Sequence, residues 1–157
     1  MTRIFYHLTT RQHSTDLTGS GSKQVDGRWH FRGVACHYLC SSKSRCLVEY
    51  SRNVNLANLE VKNLVFVVLK VPDGCYREFS TVDLPEDWAS WPFPASSRAF
   101  GTGMLKFENV FLMGFPSAVF PDSRFSDGER VYVMNANHPM IEFVEILGIE
   151  ELPGNSN

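Results

Sequence analysis

Residues 34–50, Val34-Ala35-Cys36-His37-Tyr38-Leu39-Cys40-Ser41-Ser42-Lys43-Ser44-Arg45-Cys46-Leu47-Val48-Glu49-Tyr50, join a strand to a helix through two serines. Val34 to Cys40 reads as a strand. Its period of two places Cys36, Tyr38 and Cys40 on one face and His37 on the other. Ser41 and Ser42 are good helix caps, because their hydroxyls can take up unpaired backbone N–H groups. Ser44 to Tyr50 then fits one helix, with Cys46, Leu47 and Tyr50 as its apolar stripe and Glu49 at the stripe's edge. From that edge Glu49 can look along the sheet surface into a cleft instead of out to water.

Upstream, residues 3–8 are rich in β-formers and are predicted to be a strand. Residues 9–33 are rich in Thr, Ser, Gly and Asp, too polar for a buried element, and a loop this long is often functional. Downstream, Leu64 to Val71 (LVFVVLKV) is apolar on both faces, the mark of a central covered strand that ends before Gly74. Asp83 to Trp88 suggests a short helix or turn, Pro92 and Pro94 a break, and 95–107 a helix weakened by Gly101 and Gly103. Val110 to Met113 and Ser117 to Phe120 read as short strands around Gly114 and Pro116. Arg130 to Met134 and Glu142 to Ile149 read as the last two strands. Short strands mixed with a few helices, without βαβ alternation, predict an α+β fold. One domain is expected over 1–152, followed by a loose tail at 153–157.

The 157 residues suffice for one sizeable core, and 43% hydrophobic with 20% charged residues is ordinary globular composition. A net charge of −2 and five scattered lysines offer no basic surface, which argues against nucleic acid as a direct partner. The longest apolar stretch, Leu64 to Leu69, has six residues and is too short to span a membrane. The first residues read as a strand and not as a secretion signal, so a cytoplasmic location is expected. Cys36, Cys40, Cys46 and Cys75 lack Cys-x-x-Cys spacing and are expected to be buried reduced thiols, with no metal site.

The chemistry concentrates in Gly27-Arg28-Trp29, Gly33, Tyr38 and Glu49. A guanidinium grips anionic oxygens, a phenol ring offers a flat face, and a carboxylate stabilises nearby positive charge. Together they suit a ligand with a phosphate, an aromatic ring and a cationic reacting centre, such as a nicotinamide dinucleotide. An ordinary glycosidase needs a second carboxyl to protonate its leaving oxygen. A pyridinium leaves as neutral nicotinamide without a proton, so one carboxylate is enough. A unit charge at about 4 Å and an effective dielectric near 20 is worth roughly 4 kcal/mol, about a thousandfold in rate if realised only in the transition state.

Each residue also has a plainer reading. Arg28 could be a surface arginine packing on Trp29, and Tyr38 could fill a core edge. Glu49 could be a solvated partner of Arg45 four positions earlier. Ser117 could hydrogen-bond Glu49 or the ligand, or simply cap a turn. His7, His30 and His138 are further candidate polar contacts. Asp16-Leu17-Thr18-Gly19-Ser20-Gly21 permits close backbone approach but matches neither a Walker loop nor a dinucleotide fingerprint.

In order and spacing, these pieces resemble the RES domain, the toxin half of bacterial RES–Xre toxin–antitoxin pairs. The matching residues are Asp16 to Gly21, Gly27-Arg28-Trp29 with Gly33, Tyr38, and Leu47-Val48-Glu49. Further along are Leu84-Pro85 with Trp88, Gly101, Pro116 to Val119 with Pro121, and Tyr132, Asn135, His138 and Pro139. The resemblance covers roughly residues 4–149. It implies a core like that of mono-ADP-ribosyltransferase toxins, with small mixed sheets around an NAD cleft. It implies Arg28, Tyr38, Glu49 and Ser117 as the catalytic set, with Arg28, Trp29, Tyr38, His30 and His7 binding NAD. NAD would be substrate, destroyed or used to ADP-ribosylate a protein. An Xre-like helix-turn-helix antitoxin would block the cleft, and the complex leaves room for a toxin dimer. A non-catalytic NAD- or partner-binding module is the rival from another class. The chain departs from the pattern at His7, where arginine is often seen, and at Asp26, His30 and Ala136, where glycine, asparagine and proline are usual.

Overall fold

The computed structural model describes residues 2–53, 63–119 and 130–152. These form strands β1 (Thr2–Thr10), β2 (Cys36–Leu39), β3 (Leu64–Pro72), β4 (Tyr76–Glu78), β5 (Leu112–Pro116), β6 (Arg130–Asn135) and β7 (Glu145–Glu151), with helices α1 (Lys43–Asn53) and α2 (Ala95–Lys106). The fold is α+β, as the mixed element order predicts. One sheet is antiparallel in the order β1-β3-β7, and the other runs β2-β6-β5-β4 with only β4 and β5 parallel. The two sheets are tied where Tyr6 and Cys40 exchange backbone hydrogen bonds of 2.8 and 3.0 Å.

Apolar patterning explains the layers. Val65, Val67, Leu69 and Val71 of β3 face Leu112, Tyr132 and Met134 of the second sheet, together with Phe5 and Phe111. On its other face β3 places Leu64 and Phe66 beneath Cys46 and Tyr50 of α1. This is why LVFVVLKV is apolar on both faces at its start and carries Lys70 near its end. The far face of the second sheet, with Met113, Phe115 and Val133, packs on Trp29, Trp88 and Leu105. The layers are therefore α1, sheet, sheet and α2. Ser42 caps α1 as expected, its Oγ accepting from the Arg45 N–H at 3.2 Å.

Four expectations change. The stretches 110–113 and 117–120 are not two strands around Gly114. Gly114 pairs with both Glu78 and Tyr132 inside β5, and Phe120 lies outside the described residues, as does the tail at 153–157. The last strand starts at Glu145, because Pro139–Phe143 forms a 3-10 turn capped by the His138 ring. The 9–33 loop is not excluded from the interior: Ser14, Arg28, Trp29 and His30 are buried. Cys36, Cys40 and Cys46 are buried thiols, whereas Cys75 is exposed. Among the described residues no helix is long and apolar enough to cross a membrane.

Gly101 shows how α2 is seated. A Cβ there would overlap the Trp29 carbonyl oxygen, whereas a Cβ at Gly103 would meet nothing within 4 Å. Gly101→Ala is expected to destabilise the protein by about 1–3 kcal/mol through overpacking. Gly103→Ala should stabilise it by about 0.5–1 kcal/mol through helix propensity. Denaturant unfolding midpoints of the two variants test the pair, and equal shifts would remove the packing explanation.

Candidate functional site

A cleft of about 390 Å³ opens where β1, the 13–30 loop, β2 and α1 meet, and its walls include His7, Arg28, His30, His37, Tyr38 and Glu49. Three of the four catalytic candidates therefore border one cavity. The fourth, Ser117, is fully buried and reaches it through Glu49, donating its hydroxyl to Oε1. The Val119 N–H in turn donates to Ser117 Oγ at 3.1 Å, which fixes the serine's orientation.

The loop carrying Arg28 is held by a chain of hydrogen bonds whose directions can be worked out. A carbonyl oxygen only accepts, so the 2.9 Å contact of His30 Nε2 with the Ser22 carbonyl places the proton on Nε2. His30 Nδ1 then carries a lone pair and accepts the Tyr38 hydroxyl proton at 2.7 Å. The same hydroxyl accepts from the Trp29 backbone N–H at 3.0 Å. Both ring nitrogens of His30 and the hydroxyl of Tyr38 are thus engaged within the protein. Gly27 is required by the same geometry, since a Cβ there would fall 2.5 Å from the Tyr38 hydroxyl oxygen. Asp26 closes the turn by accepting from the Arg32 N–H at 2.7 Å.

Trp29 borders the cleft, but its indole belongs to the core: it is 1% exposed and stacks on Phe115 at 3.8 Å between centroids. Trp29, expected among the NAD-binding residues, anchors the loop through its covered ring while still bordering the cleft. Its neighbour Arg28 is buried rather than lying on the surface. Arg28 Nη1 donates to the carbonyls of Trp88 and Ser90 at 2.7 and 2.9 Å, and the guanidinium lies 4.9 Å from the Phe93 ring centroid. A fixed cation thus forms one wall of the cleft.

Glu49 is not the solvated residue of the plainer reading. Its side chain is 13% exposed, with Arg45 Nη1 at 3.5 Å from Oε1. Burial pushes its carboxyl above the usual value, against the opposing pull of Ser117, Arg45 and Arg28, so desolvation is the largest effect.

His7, His30 and His37 add no charge to the site at neutral pH. His7 donates from Nδ1 to the Tyr38 carbonyl at 2.9 Å and meets His37 edge to face at 5.3 Å. Burial, then the neighbouring His37, pulls His7 down to about 4. Burial also lowers His30 and His37. Asp16 is held at about 2 by hydrogen bonds from Ser20 and Thr18 and closes its own loop. His138 caps a turn through Met140 N–H at 3.1 Å and is not among the cleft's walls.

Sequence reasoning missed three contributors. His37 was placed on the face of β2 opposite Tyr38, yet both line the cleft, which opens at the junction of β1 and β2. Phe93 carries no signal beyond its flanking prolines. Arg45 was visible only as a helix ion pair, and nothing in the spacing shows that the pair is covered.

The RES domain profile matches residues 2–153. A protein named Prs ADP-ribosylating toxin, from Sphingobium sp. (strain YBL2), is 28% identical over 145 residues, covering 88% of this chain and 86% of the relative. A protein named Toxin Res, from Yersinia enterocolitica serotype O:8 / biotype 1B, is 27% identical over 119 residues, covering 75% and 78%. In three dimensions the chain is similar to one in the crystal structure of the M. tuberculosis MbcT–MbcA toxin–antitoxin complex. The TM-score is 0.73 over 97% of this chain and 85% of that one, at 19% identity, a likeness of fold. With the profile spanning almost every residue, from β1 through the cleft to β7, the chain belongs to the RES domain family.

Proposed function

We propose that this chain is the toxin of a toxin–antitoxin pair and that it cleaves the nicotinamide–ribose bond of NAD. The observation that carries the reading is the Glu49 carboxylate, largely covered at the wall of a cleft that Arg28 and Tyr38 also border. In a bound pyridinium nucleotide the C1′–N bond breaks and its electron pair goes to the ring nitrogen, so nicotinamide leaves neutral. The positive charge left on the ribosyl group is stabilised by Glu49. Water, phosphate or a protein nucleophile then bonds to C1′ and gives up its proton. Arg28 anchors a diphosphate or ribose oxygen. Tyr38, whose hydroxyl is engaged by the loop, offers its ring face to nicotinamide.

A second reading, transfer of ADP-ribose to a protein, is favoured by the name of the Sphingobium relative. It uses the same bond cleavage with a different acceptor. The structural neighbour comes from a toxin–antitoxin complex, which supports an antitoxin partner here. In our reading that partner carries an Xre-like helix-turn-helix domain and blocks the cleft.

Purified protein incubated with NAD is expected to release nicotinamide, and Glu49→Gln should slow release by about a thousandfold if the charge acts mainly on the transition state. Equal release by both proteins would remove Glu49 from the mechanism. Labelled NAD in a cell lysate separates the readings: a labelled protein band supports transfer, and free products alone support hydrolysis or phosphorolysis. Because Glu49 acts ionised and burial raises its pKa, kcat/KM should fall as pH drops through a value above that of an ordinary glutamate. A profile flat down to pH about 4, the ordinary glutamate range, would contradict this. Tyr38→Phe keeps the ring face but leaves the Trp29 N–H and His30 Nδ1 without their partner, for an expected loss of about 1–3 kcal/mol in unfolding free energy. An unchanged denaturation midpoint would show that the hydroxyl does not hold the loop.

A further inference from the structure

Arg45 and Glu49 sit one turn apart on α1, and their side chains are only 9% and 13% exposed. An exposed pair at this spacing is screened by water and contributes little. This pair is largely covered, so each charge acts on the other through a medium less polar than water. The geometry is also one-sided. Arg45 Nη1 stands 3.5 Å from Oε1, and Ser117 donates its hydroxyl to that same oxygen. Both of these contacts fall on Oε1, and Glu49 borders the cleft.

We propose that Arg45 is a positioning residue: with Ser117 it clamps Oε1 of Glu49, keeping the carboxylate charged and leaving Oε2 to face the ribose of the substrate. This deepens the NAD-cleaving reading and rests on it for the identity of the substrate. The ionisable groups whose charges reach Glu49 are Arg45 on its own helix, Arg28 on the 27–30 loop and Cys40 at the end of β2. Cys40 is held as a neutral thiol by its contact with Cys46 and by burial. His7, across the same cleft, is also neutral. Only the two arginines offset burial by charge, Arg45 more strongly than Arg28, and Arg45 forms an ion pair with the carboxylate at 3.5 Å. Arg28 is itself tied to the carbonyls of Trp88 and Ser90. Arg45 is therefore the nearer and the more directly coupled cation.

The test is the titration of the Glu49 carboxyl followed by carbon NMR in protein labelled at glutamate Cδ, assigned by loss of the signal in Glu49→Gln. Arg45→Gln keeps a long polar side chain and removes the charge. It is expected to move the Glu49 titration up by roughly 1 pH unit, with amide spectra confirming the fold. Arg45→Lys restores the charge and should bring the titration back toward wild type. A titration unmoved in folded Arg45→Gln, or moved equally in Arg45→Lys, overturns the proposal. Because the titration uses no NAD, it judges Arg45 separately from the substrate assignment. A shift without nicotinamide release supports the clamp and removes the NAD reading. With release, the acid limb of kcat/KM should move with the titration.

Discussion

The arrangement depends on one hydroxyl group. Tyr38 Oη accepts the Trp29 N–H and donates to His30, and so fastens a polar loop to the edge strand of a sheet. Once the loop is fastened, Trp29 reaches Phe115 in the core and Gly101 of α2 comes against the Trp29 backbone. Ser97 Oγ donates to the Arg28 carbonyl at 2.7 Å, which ties the loop to α2 from the other side. Arg28 is left with its side chain turned along the cleft wall. A buried polar network of this kind fixes one conformation only if its members are satisfied. Here the proton positions follow without contradiction from the carbonyl of Ser22 outward.

The cleft then holds two opposite charges in different ways. Arg28 remains charged under all ordinary conditions, and its burial is offset by two carbonyls and an aromatic face. Glu49 is the adjustable partner, because desolvation and three polar neighbours act on it in opposite directions. The histidines nearby, lowered by burial, contribute shape and hydrogen bonds without net charge. A cleft that sets a buried cation and a largely covered carboxylate among neutral buried histidines, with Asp16 and Asp26 also on its walls, suits a ligand that is anionic at one end and cationic at its reacting centre.

Much of this was legible in the sequence. The double-faced apolar run at Leu64, the Ser42 cap and the helix of 95–106 all follow from local pattern and match the structure. The order of Arg28, Tyr38, Glu49 and Ser117 was legible too, and the fold brings them together around Glu49 and its cleft. What pattern could not show is burial achieved by long-range contact. Residues 9–33 look like a solvated loop because their polar groups are satisfied by Ser22, Tyr38 and Thr102 and not by regular structure. β4 was missed because three residues, Tyr76–Glu78, carry no period, and the strand exists by pairing with β5 far along the chain. Arg45 and Glu49 show the same limit: their spacing is that of a surface pair, and only the tertiary structure covers them.

The most direct measurement of the central claim is a crystal structure of Glu49→Gln soaked with NAD. The account predicts the dinucleotide in this cleft, with its nicotinamide ribose against residue 49, its ring against the face of Tyr38 and its diphosphate beside Arg28. Ordered NAD bound elsewhere on the protein, or an empty cleft at saturating NAD, would contradict it.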